Sequence, residues 1–284
     1  MTLIDTYAVF GHPINHSKSP RIHQLFAEQT GQTLSYTAQD VTADRFESDV
    51  ALFFNQGGKG LNCTVPLKEL AWRYADHLSD RARLSQAVNT LALETDGRIF
   101  GENTDGIGLV KDLTINHQIS LTGSRILILG AGGATRGILP SLFEQRPEQI
   151  TIANRTHTKA EQLAGEFGHL GTVFTYKFSE LAQQRFDLII NATSASLTDQ
   201  LPPLPGRLLA ENGSCYDLAY SHQATSFVTW GRSQQAYKSI DGLGMLVEQA
   251  AEAFKLWRGI LPETRAIIRL LNSERQQVDN TSQH

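Results

Sequence analysis

Apolar residues along this chain repeatedly change period. Short runs rich in β-branched and aromatic residues alternate with stretches where apolar positions recur every three or four residues. That alternation predicts an α/β chain with largely parallel sheets. Strands are expected at 7–10, 34–41, 61–64 and 88–94, with another ending near Gly101. Helices are expected from Pro20 to about Gly31, with Ser19 as N-cap, and over 43–55, closed by Gly57-Gly58. Pro66 should open a helix carrying Lys68, and another helix should lie near 79–86. Asp96-Gly97 signals a tight hairpin. Further on, strands are expected at 125–129, 150–153, 186–190, 215–218 and 237–240, with helices at 134–144, 157–167 and 245–258. The apolar run in 125–129 fits a strand buried on both faces. Leu243, Leu246, Val247, Ala250, Phe254 and Trp257 keep helical spacing along the last helix.

The turn Gly130-Ala131-Gly132-Gly133-Ala134 stands between the strand at 125–129 and a helix. Glycines there let the backbone approach a pyrophosphate, and the helix start offers unpaired N–H groups and a positive dipole end. Thr135 occupies the third glycine's place in the fingerprint. A plain strand–helix turn would have the same glycines, but the flanking strand, helix and second strand favour a dinucleotide. After that second strand comes Asn154-Arg155-Thr156, with no acid to accept from a ribose 2′-OH. Arg155 could instead fork onto a 2′-phosphate, with Asn154, Thr156 and Lys159 as added donors, which favours NADP.

The glycine-rich turn is central in the chain, so the residues before it should form a domain of their own. The final helices should return to that domain. The expected division is 1–105 plus 242–284 for substrate binding and catalysis, and 106–241 for a Rossmann-like, doubly wound NADP-binding domain. An active site is expected at the domain junction.

The candidate chemistry of the first domain follows short apolar segments. Asn62-Cys63-Thr64-Val65-Pro66-Leu67-Lys68 and Asn103-Thr104-Asp105-Gly106 supply an ammonium, a carboxylate and several amides and hydroxyls. A Lys and an Asp brought together can move a proton to or from an alcohol or ketone. Ser17 and Ser19 lie just before a helix start and suit a carboxylate, although capping is the commoner fate of such serines. Taken singly, Lys68 reads as a surface lysine, Asp105 as a cap, and Asn62 and Asn89 as turn formers. Their recurrence at successive strand ends argues for a shared site. His12 and His16 are separated by Pro13 and no partner motif follows, so no metal is expected.

Composition narrows the setting. The 284 residues are 40% hydrophobic and 19% charged, with a formal charge of −4, which gives no global attraction to nucleic acid or an anionic membrane. The two cysteines, Cys63 and Cys215, do not suggest a disulfide framework. Residues 1–6 lack a signal-peptide pattern, and no apolar run approaches a bilayer span, so a cytoplasmic protein is expected, as monomer or homodimer.

These motifs, together with His16-Ser-Lys-Ser-Pro20, Gln86-Ala-Val-Asn-Thr90, Asn191-Ala-Thr-Ser194 and Asp241-Gly-Leu-Gly-Met245, resemble the shikimate dehydrogenase family in order from about Tyr7 to Trp257. The resemblance implies NADP-dependent interconversion of 3-dehydroshikimate and shikimate. It implies Ser17 and Ser19 on the substrate carboxylate, and Asn62, Thr64, Asn89, Tyr220 and Gln249 completing the pocket. Lys68 and Asp105 would be the catalytic pair. Gly130 to Ala134, Asn154 to Lys159, Leu218, Gly242 and Asp80 would surround NADP. Three positions depart from the family's habit: Cys63 for an aliphatic residue, Ala195-Ser196 after the Asn191 motif, and Leu218 for a methionine. Cys63 should point away from Asn62 and Thr64 into the core. The alternatives are a quinate/shikimate dehydrogenase with NAD use, against which Arg155 and Thr156 argue, and a non-catalytic metabolite sensor, against which the retained Lys68 and Asp105 argue.

Overall fold

The computed structural model describes residues 4–198 and 200–281. The chain divides into two compact units, Met1–Gly108 with Leu246–Ile267, and Leu109–Met245 with Ile268–His284. The last residues therefore differ from the sequence expectation: from Ile268 onward they group with the second unit, not the first.

The first unit runs β1 (Asp5–Gly11), α1 (Ser19–Thr30), β2 (Leu34–Asp40), α2 (Phe46–Asn55), β3 (Gly58–Cys63), α3 (Lys68–Tyr74), β4 (His77–Leu78), α4 (Asp80–Ser85), β5 (Thr90–Leu93), β6 (Ile99–Glu102) and α5 (Asp105–Lys111). Its six strands are ordered β2-β1-β3-β5-β6-β4. The sheet is mixed: β1 is parallel to β2 and β3, whereas β5 runs antiparallel to both β3 and β6. The Asp96-Gly97 hairpin joins β5 to β6, with Gly97 at φ 86°. Ala8, Phe10, Phe46, Val50, Leu61, Cys63 and Leu91 belong to one buried cluster. Trp257 is stacked on Tyr7 and donates to the Leu91 carbonyl. Gly60 must be bare there, because a Cβ would lie 2.3 Å from the indole nitrogen.

Two local expectations change. Ser19 is the first residue of α1 and not its cap; Ser17 Oγ accepts from Ser19 N at 3.3 Å. Pro66 does not open a helix: it lies in a turn after a cis Val65–Pro66 bond, and α3 starts at Lys68.

The second unit continues with β7 (Arg125–Leu129), α6 (Gly133–Glu144), β8 (Gln149–Ala153), α7 (His157–Phe167), β9 (Val173–Tyr176), β10 (Phe186–Asn191), β11 (Leu209–Asp217), α8 (Ser226–Ser233) and β12 (Ser239–Ile240). Its sheet is parallel in the order β12-β11-β10-β7-β8-β9. Counted from β7, this is the doubly wound order 3-2-1-4-5-6 read from its β9 edge, whose switch point lies between β7 and β10. The long helix α9 (Leu243–Arg258) and α10 (Arg265–Thr281) each contribute residues to both units. Among the described residues, no helix is long and apolar enough to cross a membrane.

Candidate active site

The mixed sheet explains how polar residues from strand ends and a strand start can share one edge. β1 and β3 finish where β5, running the other way, begins, and where β6 also finishes. Asn62 and Thr64, Asn89 and Thr90, and Asn103 to Asp105 therefore come together at one edge of the first unit's sheet. Lys68 Nζ donates to Asp105 Oδ2, forming a part-buried ion pair. Asp105 Oδ1 accepts from Asn89 Nδ2 at 2.9 Å, so both carboxylate oxygens are held. At the start of α5, Asn103 Oδ1 accepts from Asp105 N at 3.1 Å. That leaves the Asp105 carboxylate for Lys68.

Asn89 is the centre of the cluster and is 3% exposed. Its Nδ2 also lies within hydrogen-bonding reach of Thr104 Oγ1 and of Gln249 Oε1, at 3.0 and 3.2 Å. Its Oδ1 accepts from Thr104 N and from Thr90 Oγ1, each at 2.9 Å. Asn62 Nδ2 donates to Thr90 Oγ1 and to the Asn89 carbonyl, each at 3.0 Å. Gly11 lets Thr64 approach β1, since a Cβ there would meet Thr64 Cγ2 at 2.3 Å. Cys63 faces the core as its alternation with Asn62 predicts, and burial pushes its thiol well up from the ordinary range. His12 pairs with Asp40 at 2.5 Å.

Thr90, Asn103 and Thr104 join the cluster from motifs already marked in the sequence. Tyr36 joins it beyond the residues expected there, from an edge strand with nothing in its neighbours to mark it. Below Tyr36 lies His23, 1% exposed, its ring stacked on the phenol at 4.1 Å and 6°. Neither imidazole nitrogen has a hydrogen-bond partner, and burial pulls the His23 pKa down to about 3. Unfolding releases an imidazole that titrates near 6.5, so the unfolded chain binds the proton first as pH falls. The stability conferred by a neutral His23 is complete above that pH and declines from about 6.5 toward 3. The stability of wild type relative to His23→Phe should therefore fall by about 2 kcal/mol between neutral pH and pH 5. Paired urea titrations at the two pH values measure this.

On the second unit, Gly130 ends β7 with φ 104°, and a Cβ there would meet the Ala192 carbonyl oxygen at 3.1 Å. Gly132 and Gly133 open onto free space, and no side chain caps α6. Its first N–H groups are thus available to an anion. Thr135, in place of the third glycine, is buried and donates to the Gly130 carbonyl at 2.8 Å, tying the turn shut. After β8, Asn154 Nδ2 donates to the Thr156 carbonyl at 2.8 Å, and α7 also starts without a side-chain cap. Arg155 is exposed beside that start, with no ion-pair partner among the described residues. An uncapped helix start, a bare glycine cradle and an exposed guanidinium fit a pyrophosphate and a further phosphate.

Gly242 has no room for a side chain, because a Cβ would lie 2.3 Å from the Leu218 carbonyl oxygen. Ser196 at the unusual Ala195-Ser196 position donates to Asp217 Oδ2 at 2.6 Å and accepts from Asn191 Nδ2 at 3.0 Å. The hydroxyl thereby fastens the loop after β10 to a buried carboxylate, which Thr225 and Ala219 N also hold. Tyr220 follows β11 on this unit, and burial raises its pKa. Asp80 belongs to the first unit and is highly exposed, paired with Arg83 at 2.8 Å.

Family models match the chain in three stretches. Residues 9–91 match the shikimate dehydrogenase substrate binding domain, 113–198 match shikimate / quinate 5-dehydrogenase, and 242–271 match the shikimate 5′-dehydrogenase C-terminal domain. A shikimate dehydrogenase (NADP(+)) of Methylococcus capsulatus is 63% identical over 276 residues, covering 97% of this chain and 99% of that protein. Among solved structures, an Ael1 enzyme from Pseudomonas putida aligns with a TM-score of 0.87 at 48% identity, covering 94% and 98% of the two chains. Shikimate 5-dehydrogenase from Thermus thermophilus, in complex with NADP(H) and shikimate, aligns with a TM-score of 0.84 at 34% identity over the same shares.

Proposed function

Because the chain belongs to the shikimate dehydrogenase family, we propose that it catalyses the reversible, NADP-dependent reduction of 3-dehydroshikimate to shikimate, a step toward chorismate and the aromatic amino acids. The carrying observation is the Lys68–Asp105 pair, set among buried amides and hydroxyls at one sheet edge.

Ser17 and Ser19 would bind the substrate carboxylate, while Asn62, Thr64, Asn89 and Gln249 take its ring hydroxyls, with Tyr220 as a further contact. Gly130, Ala131, Gly132, Gly133 and Ala134 would cradle the NADP pyrophosphate. Asn154, Arg155, Thr156 and Lys159 would hold its 2′-phosphate, with Leu218, Gly242 and Asp80 as further contacts. NADPH, when bound, supplies a hydride to the ketone carbon. Charge then builds on the ketone oxygen, and Lys68 Nζ stabilises it by hydrogen bonding and donates the proton that completes the alcohol. In oxidation the same nitrogen takes the proton back. Asp105 orients Lys68 and accepts from a ring hydroxyl.

Nicotinamide absorbance assays pairing shikimate or quinate with NADP or NAD test the reading. Shikimate with NADP should give the highest kcat/KM. A higher value for quinate with NAD would replace this reading with a quinate/shikimate dehydrogenase, and no turnover with any pair would favour a non-catalytic sensor.

A further inference from the structure

No motif marks Tyr36, yet its hydroxyl holds a group assigned to the substrate. It donates to Asn62 Oδ1 at 2.7 Å. From Asn62 the order continues through Thr90 Oγ1, Asn89 Oδ1 and Asn89 Nδ2 to Asp105, which accepts from Lys68. Every step from Tyr36 to Asp105 donates in the same sense. A line of hydrogen bonds therefore joins the phenol on the edge strand to the proton-transferring pair.

The tyrosine ring is held as firmly as its hydroxyl. It stacks flat on His23, and Phe26, Phe254 and Trp257 surround that imidazole. An uncharged, tightly bounded base fixes where the phenol oxygen sits. The Asn89 carbonyl already dictates which end of the Asn62 amide is nitrogen, so Tyr36 occupies the remaining oxygen.

We propose that Tyr36 is a positioning residue for substrate binding, its hydroxyl holding the Asn62 amide where it meets the substrate. The inference rests on the substrate site proposed above. Asn62 binds a part of the molecule that does not react, so it serves ground state and transition state alike. Loss of its support should appear in KM and spare kcat.

Steady-state kinetics of the intact protein provide the test. Tyr36→Phe should raise the KM for shikimate about tenfold, as expected when a buried acceptor loses its partner. The kcat should stay within about twofold and the KM for NADP should not change. A merely structural tyrosine would lower kcat and melting temperature together, which overturns the proposal. So does an unchanged shikimate KM in an active variant. A wild type inactive on shikimate removes the functional reading and this inference with it. If Tyr36→Phe does not fold, Tyr36→His, which keeps a flat ring but shortens its reach, decides the matter: the KM for shikimate should rise with kcat spared, and an unchanged KM overturns the proposal.

Discussion

Lys68→Ala should lower kcat by about 10²–10⁴-fold, the usual cost of losing a positioned general acid, while the KM for shikimate changes far less. Lys68 is the first residue of α3, and its Nζ is already bonded to Asp105. Asn62, Thr90, Asn89 and Gln249 nearby are neutral amides and a hydroxyl, suited to binding alcohols but poor sources of a proton for a developing alkoxide. Deleting the ammonium removes stabilisation that grows only as charge builds on oxygen, so the loss falls on kcat. Near-normal turnover would show that the proton comes from another group. Asn103 Oδ1 holds the Asp105 N–H and Asn89 holds the second carboxylate oxygen, so the surrounding fold has other anchors and the variant's melting temperature should remain close to wild type.

Arg155→Ala should raise the KM for NADP by about 10- to 100-fold, corresponding to about 1.5–3 kcal/mol for lost charge-assisted hydrogen bonds, and leave the KM for NAD nearly unchanged. Arg155 is exposed beside the uncapped start of α7. NAD lacks the 2′-phosphate that such a guanidinium would meet, so only NADP should register its removal. Measuring both cofactors in one buffer controls for salt, which screens an exposed contact of this kind. Equal effects on the two cofactors would refute the assignment.

The nucleotide half of the chain was the more legible. Each of its first strands is a short apolar run with both faces covered, and each is followed by an uncapped or glycine-opened helix. The strand at Val173–Tyr176 left no such trace, because an edge strand buries little and needs no apolar run. In the substrate half, the motifs disclosed Lys68, Asp105, Asn62 and Asn89. Their meeting depends on β5 running backwards, a fact of tertiary pairing that the Asp96-Gly97 turn only hints at. Ser19 falls inside the helix it was expected to cap, and Ser17 Oγ accepts from its N–H instead, since both serines lie within reach of the same helix start. Tyr36 was invisible for a plainer reason: strand alternation gives its side, but its partners come from α1 and β3.

The glycines of Asp241-Gly-Leu-Gly carry a consequence of their own. A Cβ at Gly242 would strike the Leu218 carbonyl, and one at Gly244 would lie 2.0 Å from a carboxylate oxygen of fully buried Asp112, which Tyr216 Oη and Asn116 also hold. Both bare positions are imprints of other stretches of chain passing close by. Even a descendant that abandoned this chemistry for another would have to keep them, so in distant relatives this motif testifies to a preserved route of the backbone and is silent about which reaction survives.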